Sequence, residues 1–228
     1  MIKNQILYLD NHLIAVNKLP SQIVQGDKTG DVSMDQEIKD YLKKAFNKPG
    51  NVYLGVIHRL DRPVSGVIVY ARTSKALSRM NEMFREGRVE KIYWAVVKNH
   101  PDLTGGELMH YLKKNEKQNK SYAYDKPAPG AKQARLTYRV VSRSENYSLL
   151  EVKLETGRHH QIRCQLSKMD WPVRGDLKYG FPRSNSDASI SLHARKLVFT
   201  HPVKKVKMEI IADPPSDNLW KALSESLA

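Results

Sequence analysis

His58-Arg59-Leu60-Asp61-Arg62-Pro63-Val64-Ser65-Gly66 places one carboxylate between two arginines, just ahead of a small-residue turn and the apolar run Val67-Ile68-Val69-Tyr70. Neighbouring cations favour the ionised form of a carboxylate, so Asp61 reads as a charged acceptor or a nucleophile. The stretch alone also fits a salt-bridged entrance to a strand. A second basic block downstream, Thr156-Gly157-Arg158-His159-His160-Gln161-Ile162-Arg163, shifts the reading toward a functional site.

The totals narrow the class of partner. With 228 residues, 40% of them hydrophobic and 27% charged, the chain has length for a real core. Lys and Arg number 38 against 24 Asp and Glu, a net charge of +14. That excess is the electrostatic footprint of a polyanion binder, and nucleic acid is the commonest soluble polyanion. No basic amphipathic helix with a strong apolar face is present, which argues against an anionic membrane surface. One cysteine, Cys164, excludes an internal disulfide and a cysteine zinc cluster. No signal-peptide core opens the chain and no segment has bilayer-spanning length, so the expectation is a cytoplasmic protein with no membrane partner. A monomer is the default.

Along the chain, Ile6–Leu9 and Leu13–Val16 flank Asp10-Asn11-His12 and predict a hairpin. Ser33-Met34-Asp35-Gln36 matches a capping box and opens a helix to about Phe46, stopped by Pro49-Gly50. Strands are expected over 52–57 and 66–71. A helix capped by Thr73 or Ser74 presents Leu77, Met80, Met83 and Phe84 on one face and closes at Gly87. Residues 89–97 form the next strand. From Lys113 to Arg135 the chain is polar and lysine-rich and predicts a mobile loop or a pair of ragged strands. Strands over 136–141 and 149–154, a short helix over 159–169, strands over 197–199 and 206–211 and a final helix from about Asn218 follow. Strands outnumber helices and cluster in hairpins, which predicts an α+β fold with a mixed, largely antiparallel sheet and flanking helices. With no repeat and no strong linker, residues 1–228 are expected to form one domain.

Several kinds of site are missing. There is no Gly-rich phosphate loop, hence no nucleotide cofactor is indicated. The adjacent His159 and His160 would point about 100° apart on a helix and have no third ligand at suitable spacing, so no metal is expected. No serine nucleophile elbow exists, and Cys164 has no activating base nearby in sequence.

The ordered series of blocks resembles the RluA-like family of RNA pseudouridine synthases along nearly the whole chain. The opening 6–18 looks like the family's first strand pair, 58–66 like its catalytic motif, and Lys91-Ile92-Tyr93-Trp94-Ala95 like its tyrosine motif. Lys132-Gln133-Ala134 with Thr137-Tyr138, then 156–163, Gly175-Asp176-Leu177-Lys178-Tyr179-Gly180 and Leu192-His193-Ala194 through Thr200-His201-Pro202 complete the set in order. The resemblance implies the pseudouridine synthase catalytic fold and a cofactor-independent isomerase acting on RNA, with ribosomal or transfer RNA left open. It implies Asp61 as the catalytic aspartate, Arg163 as its ionic partner and Leu197 as an apolar residue lining the pocket. Tyr93 would stack on the uracil, with proton abstraction the alternative, since a phenol of pKa near 10 is a poor base at neutral pH. Arg59 would enter the space left by an extruded nucleotide, and Arg62 and Arg158 join it as RNA contacts.

The chain also departs from the pattern. Val64 stands where threonine is usual, Leu19-Pro20 replaces a lysine-proline pair, and Gln165 holds a position commonly occupied by histidine. These departures put local hydrogen bonds and substrate choice in doubt, not the reaction. The small RNA-binding domain that precedes the catalytic domain in many relatives is expected to be missing. Two rivals remain: a non-catalytic RNA-binding or ribosome-assembly factor with the same fold, and a nucleoside glycosidase, which would have no use for a +14 surface.

Overall fold

The runs Leu13-Ile14-Ala15-Val16 and Val67–Ala71 have no polar face, so strands built from them need cover on both sides. They receive it. A computed structural model describes residues 2–27 and 30–224. The chain forms two compact units, one from 1–89 with 194–213 and the other from 90–193 with 214–228.

In the first unit, β1 (Ile6–Leu9) and β2 (Leu13–Lys18) make the expected hairpin, and β2 pairs antiparallel with β4 (Ser65–Ala71). Alternate residues of β2 and β4 face opposite ways, as strand geometry requires. Leu13, Ala15, Val67 and Val69 join a core closed by Ala76, Met80 and Met83 of α2 (Ser74–Arg85). Ile14, Val16, Ile68 and Tyr70 join another, closed by Met34, Ile38 and Leu42 of α1 (Met34–Ala45). Each fully buried Val, Leu, Ile or Met side chain among them contributes roughly 1.5–3 kcal/mol. Residues 52–57, expected as a strand, pair with β4 only at β3 (Gly55–Val56). The hydroxyl oxygen of Thr73 accepts from the Ala76 amide and caps α2. The expected capping box at α1 does not close, because the Ser33 hydroxyl donates to the Asp35 carboxylate instead.

The second unit is a run of antiparallel pairs in the order β5-β9-β8-β6-β7. These strands are β5 (Glu90–Lys98), β6 (Gly105–Asn115), β7 (Lys120–Tyr124), β8 (Lys132–Arg143) and β9 (Tyr147–Leu154). The lysine-rich segment is therefore mostly ordered strand, with turns near 116–119 and 125–131. Its alternation is concealed because a buried position carries a polar residue, Ser121. Helix α3 (Gln161–Lys168) packs Cys164 against Leu112, Ala134 and Tyr179, and α4 (Asn218–Ser224) seats Trp220 and Leu223 against Trp94, Val96 and Leu149. Strand β10 (Leu192–Thr200) starts in this unit and continues in the first, where it pairs with β11 (Lys207–Ile211). The architecture is α+β with mostly antiparallel strands, as the sequence predicts.

Candidate active site

Asp61 sits in a tight turn whose closing bond runs from the Val64 amide to the Asp61 carbonyl, 3.0 Å. What holds this turn is a lysine that sequence reasoning passed over. Lys18, opposite Gly66 in the β2–β4 register, is fully buried. Its ammonium donates to the carbonyls of Val64 at 2.6 Å, Arg62 at 2.9 Å and Leu19 at 3.2 Å. A buried cation without such partners would cost several kcal/mol; here three N–H groups meet three carbonyls, two of them in the Asp61 turn. Burial pushes the Lys18 ammonium down to about 7, against the opposing pull of the Asp61 charge. The Arg62 carbonyl also accepts from the Ser21 amide at 3.0 Å.

The other members of the block have defined places. Nε2 of His58 accepts from the Val69 amide at 3.1 Å, and its ring stacks on Phe84 at 5.0 Å, so this histidine continues the edge of β4. Gly66 has φ +117°, and a Cβ there would lie 2.5 Å from the Ala194 nitrogen and 2.7 Å from its carbonyl carbon. Only glycine allows that close approach. Arg59 is exposed, and Arg62 pairs with Asp31 at 2.8 Å on the surface. Leu197 lies 3% exposed in the core with Val67 and Val69, a packing position within its own unit.

In the second unit, Tyr93 is half-buried on β5, opposite Val152 of β9. The basic block enters α3 through His160, whose φ of +52° turns the chain into the helix. The Gln161 side chain fastens that turn, its Oε1 accepting from the Thr156 hydroxyl at 2.8 Å and the Arg158 amide at 3.0 Å. Arg158 is exposed and donates through Nε to the Gln133 carbonyl. Arg163 makes a buried bidentate pair with Asp176, Nε to Oδ2 at 2.6 Å and Nη2 to Oδ1 at 2.9 Å, with its guanidinium 5.0 Å from the Tyr179 ring centre. Two of the five guanidinium N–H groups are thus accounted for by Asp176, and the plane of the fork is fixed. In the sequence Asp176 is marked only as an acid between Gly175 and the apolar Leu177.

Gln165, where histidine is common, is buried and donates to the carbonyls of Leu108 and Ala134, tying α3 to β6 and β8. Burial pushes the Cys164 thiol up to about 12, so it packs as an inert side chain. Among the described residues, no three His, Cys, Asp or Glu side chains converge as a metal site, and no helix is long and apolar enough to cross a membrane.

Comparison with known proteins places the chain in a family. A sequence model of the RNA pseudouridylate synthase family matches residues 12–168. The chain is 32% identical to the tRNA pseudouridine synthase C of Haemophilus ducreyi, covering 96% of this chain and 93% of that protein. It is 31% identical to the ribosomal large subunit pseudouridine synthase D of Xylella fastidiosa, over 98% of this chain and 70% of that one. The solved structure of human RNA pseudouridylate synthase domain containing 4 superposes with a TM-score of 0.81 at 24% identity, covering 99% of this chain and 94% of that one, and shares the fold. The chain belongs to the RNA pseudouridylate synthase family. Its activity is that of an isomerase, with uridine in RNA as substrate.

Proposed function

We propose that the enzyme converts specific uridines of structured ribosomal or transfer RNA to pseudouridine with Asp61 as its nucleophile. The observation that carries this assignment is the anchoring of the Asp61 turn: a buried ammonium spends all three N–H groups on backbone carbonyls, two of them within that turn. Such preorganisation is what a reacting group needs and what a surface salt bridge does not. Asp61 attacks the ribose anomeric carbon or the uracil ring; the bond between N1 and C1′ breaks, and the uracil turns while held. C5 then bonds to C1′, the bond to Asp61 breaks and returns the free carboxylate, the C5 proton departs and N1 takes up a proton. Atoms and electrons balance, so no oxidant, reductant or group carrier is consumed.

In this reading Arg163 is the cation that serves Asp61, its plane set by Asp176, and Tyr93 stacks on the uracil with Leu197 as an apolar neighbour. A paired uridine must leave its stack before reaction, at a cost of a few kcal/mol. Arg59 enters the vacated space, where a planar guanidinium both stacks and binds phosphate, while Arg62 and Arg158 contact the RNA backbone. The reading carries with it a cytoplasmic monomer. Ribosomal and transfer RNA are distinguished by offering each pool, unmodified and tritiated at C5 of uridine, to the enzyme. Release from one pool names the substrate class, and release from neither contradicts the assignment.

A further inference from the structure

A pocket of about 420 Å³ opens in the first unit at the end of β4 remote from Asp61. Asn11, Lys48, Asn51, Tyr53, Arg72 and Thr73 line it. Its charge is of one sign. Lys48 and Arg72 are cations, no lining residue is acidic, and no carboxylate among the described residues lies within ion-pair distance of either. The nearest acid in sequence, Asp10, has its carboxylate engaged elsewhere, by Lys204 at 2.9 Å and by the His12 and Leu13 amides at 2.8 Å. Its hydrogen bond to Arg72 comes from the backbone carbonyl, while its charge acts on Arg72 only from beyond ion-pair distance. With one Nη bound there and the guanidinium 5.0 Å from the centre of the Phe46 ring, Arg72 is held in place, not swinging in solvent. Burial weakens its hold on its proton, so an anionic neighbour would be favourable there. Beside the two cations, Tyr53 is 47% exposed, and Asn11 and Asn51 are exposed amides. Cations beside an exposed aromatic ring are the combination that binds single-stranded nucleic acid: backbone on the charges, base on the ring.

The covalent path links this pocket to the reacting residue. The chain leaves Tyr53, pairs Gly55 with Ala71 and Val56 with Tyr70, contacts Val69 through His58, and reaches Asp61 just ahead of β4. Six residue steps along β4, from Ala71 to Ser65, span roughly 20 Å. A bound strand would cover that distance in a few nucleotides, and exposed Arg59 lies between Tyr53 and Asp61 in the chain.

We propose that this pocket is a second RNA-binding site, which holds a nucleotide of the substrate strand a few positions from the reacting uridine. Tyr53 stacks on its base, Lys48 and Arg72 take phosphate, and the two asparagines read base or ribose edges. The proposal rests on RNA being the substrate, and it gives the enzyme a means of selecting RNA by what flanks the target. The test uses the full chain and a 5′-labelled, mixed-sequence single-stranded RNA of 12 nucleotides, followed by fluorescence anisotropy across a salt series. Lys48→Glu combined with Tyr53→Ala, both exposed positions, should weaken binding by about tenfold or more and reduce the slope of log affinity against log salt by about 0.7 or more. Lys221→Glu, an exposed charge reversal on α4, should change affinity by less than about twofold, as expected for an isolated surface charge. Wild-type affinity and slope in the double variant would overturn the proposal, as would an equal loss in Lys221→Glu, which would assign the effect to the overall field. Failure of the wild-type chain to bind this RNA or either natural RNA pool would instead contradict the RNA reading, and the pocket with it.

Discussion

Lys18 shows how much of a candidate active site can rest on one buried side chain whose N–H groups all go to backbone carbonyls. Its three hydrogen bonds are local in space but join residues 18–19 to 62–64, so removal of the ammonium releases the Asp61 turn. Lys18→Met should lower kcat by about 100-fold, the scale expected for ångström-level misplacement of a reacting group, with RNA affinity little changed. Single-turnover kinetics beside a binding isotherm separate the two, and equal losses in both would refute a positioning role. Gly66→Ala should destabilise by about 3 kcal/mol, because the added methyl meets the Ala194 backbone and not a flexible side-chain end; a melting temperature close to wild type would mean that β4 and β10 yield more easily than their packing suggests. The sequence flagged Asp61 and Arg163 through their basic surroundings. It could not flag Lys18, since a lysine satisfied by carbonyls has no complementary residue type to mark it.

At the scale of elements, legibility followed apolar patterning. Strand β4 was readable because every residue from Ser65 to Ala71 is buried, and α2 because its apolar spacing and threonine cap agree. Strands β6 and β7 were hidden because several inward positions are polar and are satisfied only by distant partners. The Ser121 amide donates to the Tyr179 hydroxyl at 2.8 Å and the Ser121 hydroxyl to the His159 carbonyl at 2.8 Å. The same non-locality hid the Arg163–Asp176 pair, which fixes α3 to the Gly175–Gly180 block. Both partners are buried, so loss of one removes a bidentate, charge-assisted pair from the interior. Asp176→Ala should cost about 3–5 kcal/mol, readable as a shift in the urea midpoint. A loss below about 1 kcal/mol would show that Arg163 is satisfied without it.

At the scale of the whole molecule, the +14 charge and the pattern of buried polar groups set its response to solution conditions. The Asp10 carboxyl is raised by burial but held well below the usual carboxylate range by Lys204 and by the His12 and Leu13 amides. A folded value below the unfolded one of about 4 means that this contribution is present above about pH 4 and is lost as pH falls through the folded value. His201, lowered by burial, acts in the same direction nearer pH 6, where the unfolded chain takes up a proton that the folded one resists. Melting temperature should therefore fall from neutral pH downward. Asp10→Asn should flatten the decline between pH 4 and pH 2, and an unchanged slope there would remove Asp10 from the account.

The most direct test of the central claim is turnover by Asp61→Asn on the RNA pool that the wild type modifies, measured as tritium released from C5 of uridine, with binding measured in parallel. Asparagine keeps the size of the side chain and the turn around it while removing the nucleophilic carboxylate. RNA affinity is expected within a few-fold of wild type, with no release above background. Measurable turnover by Asp61→Asn would contradict the claim.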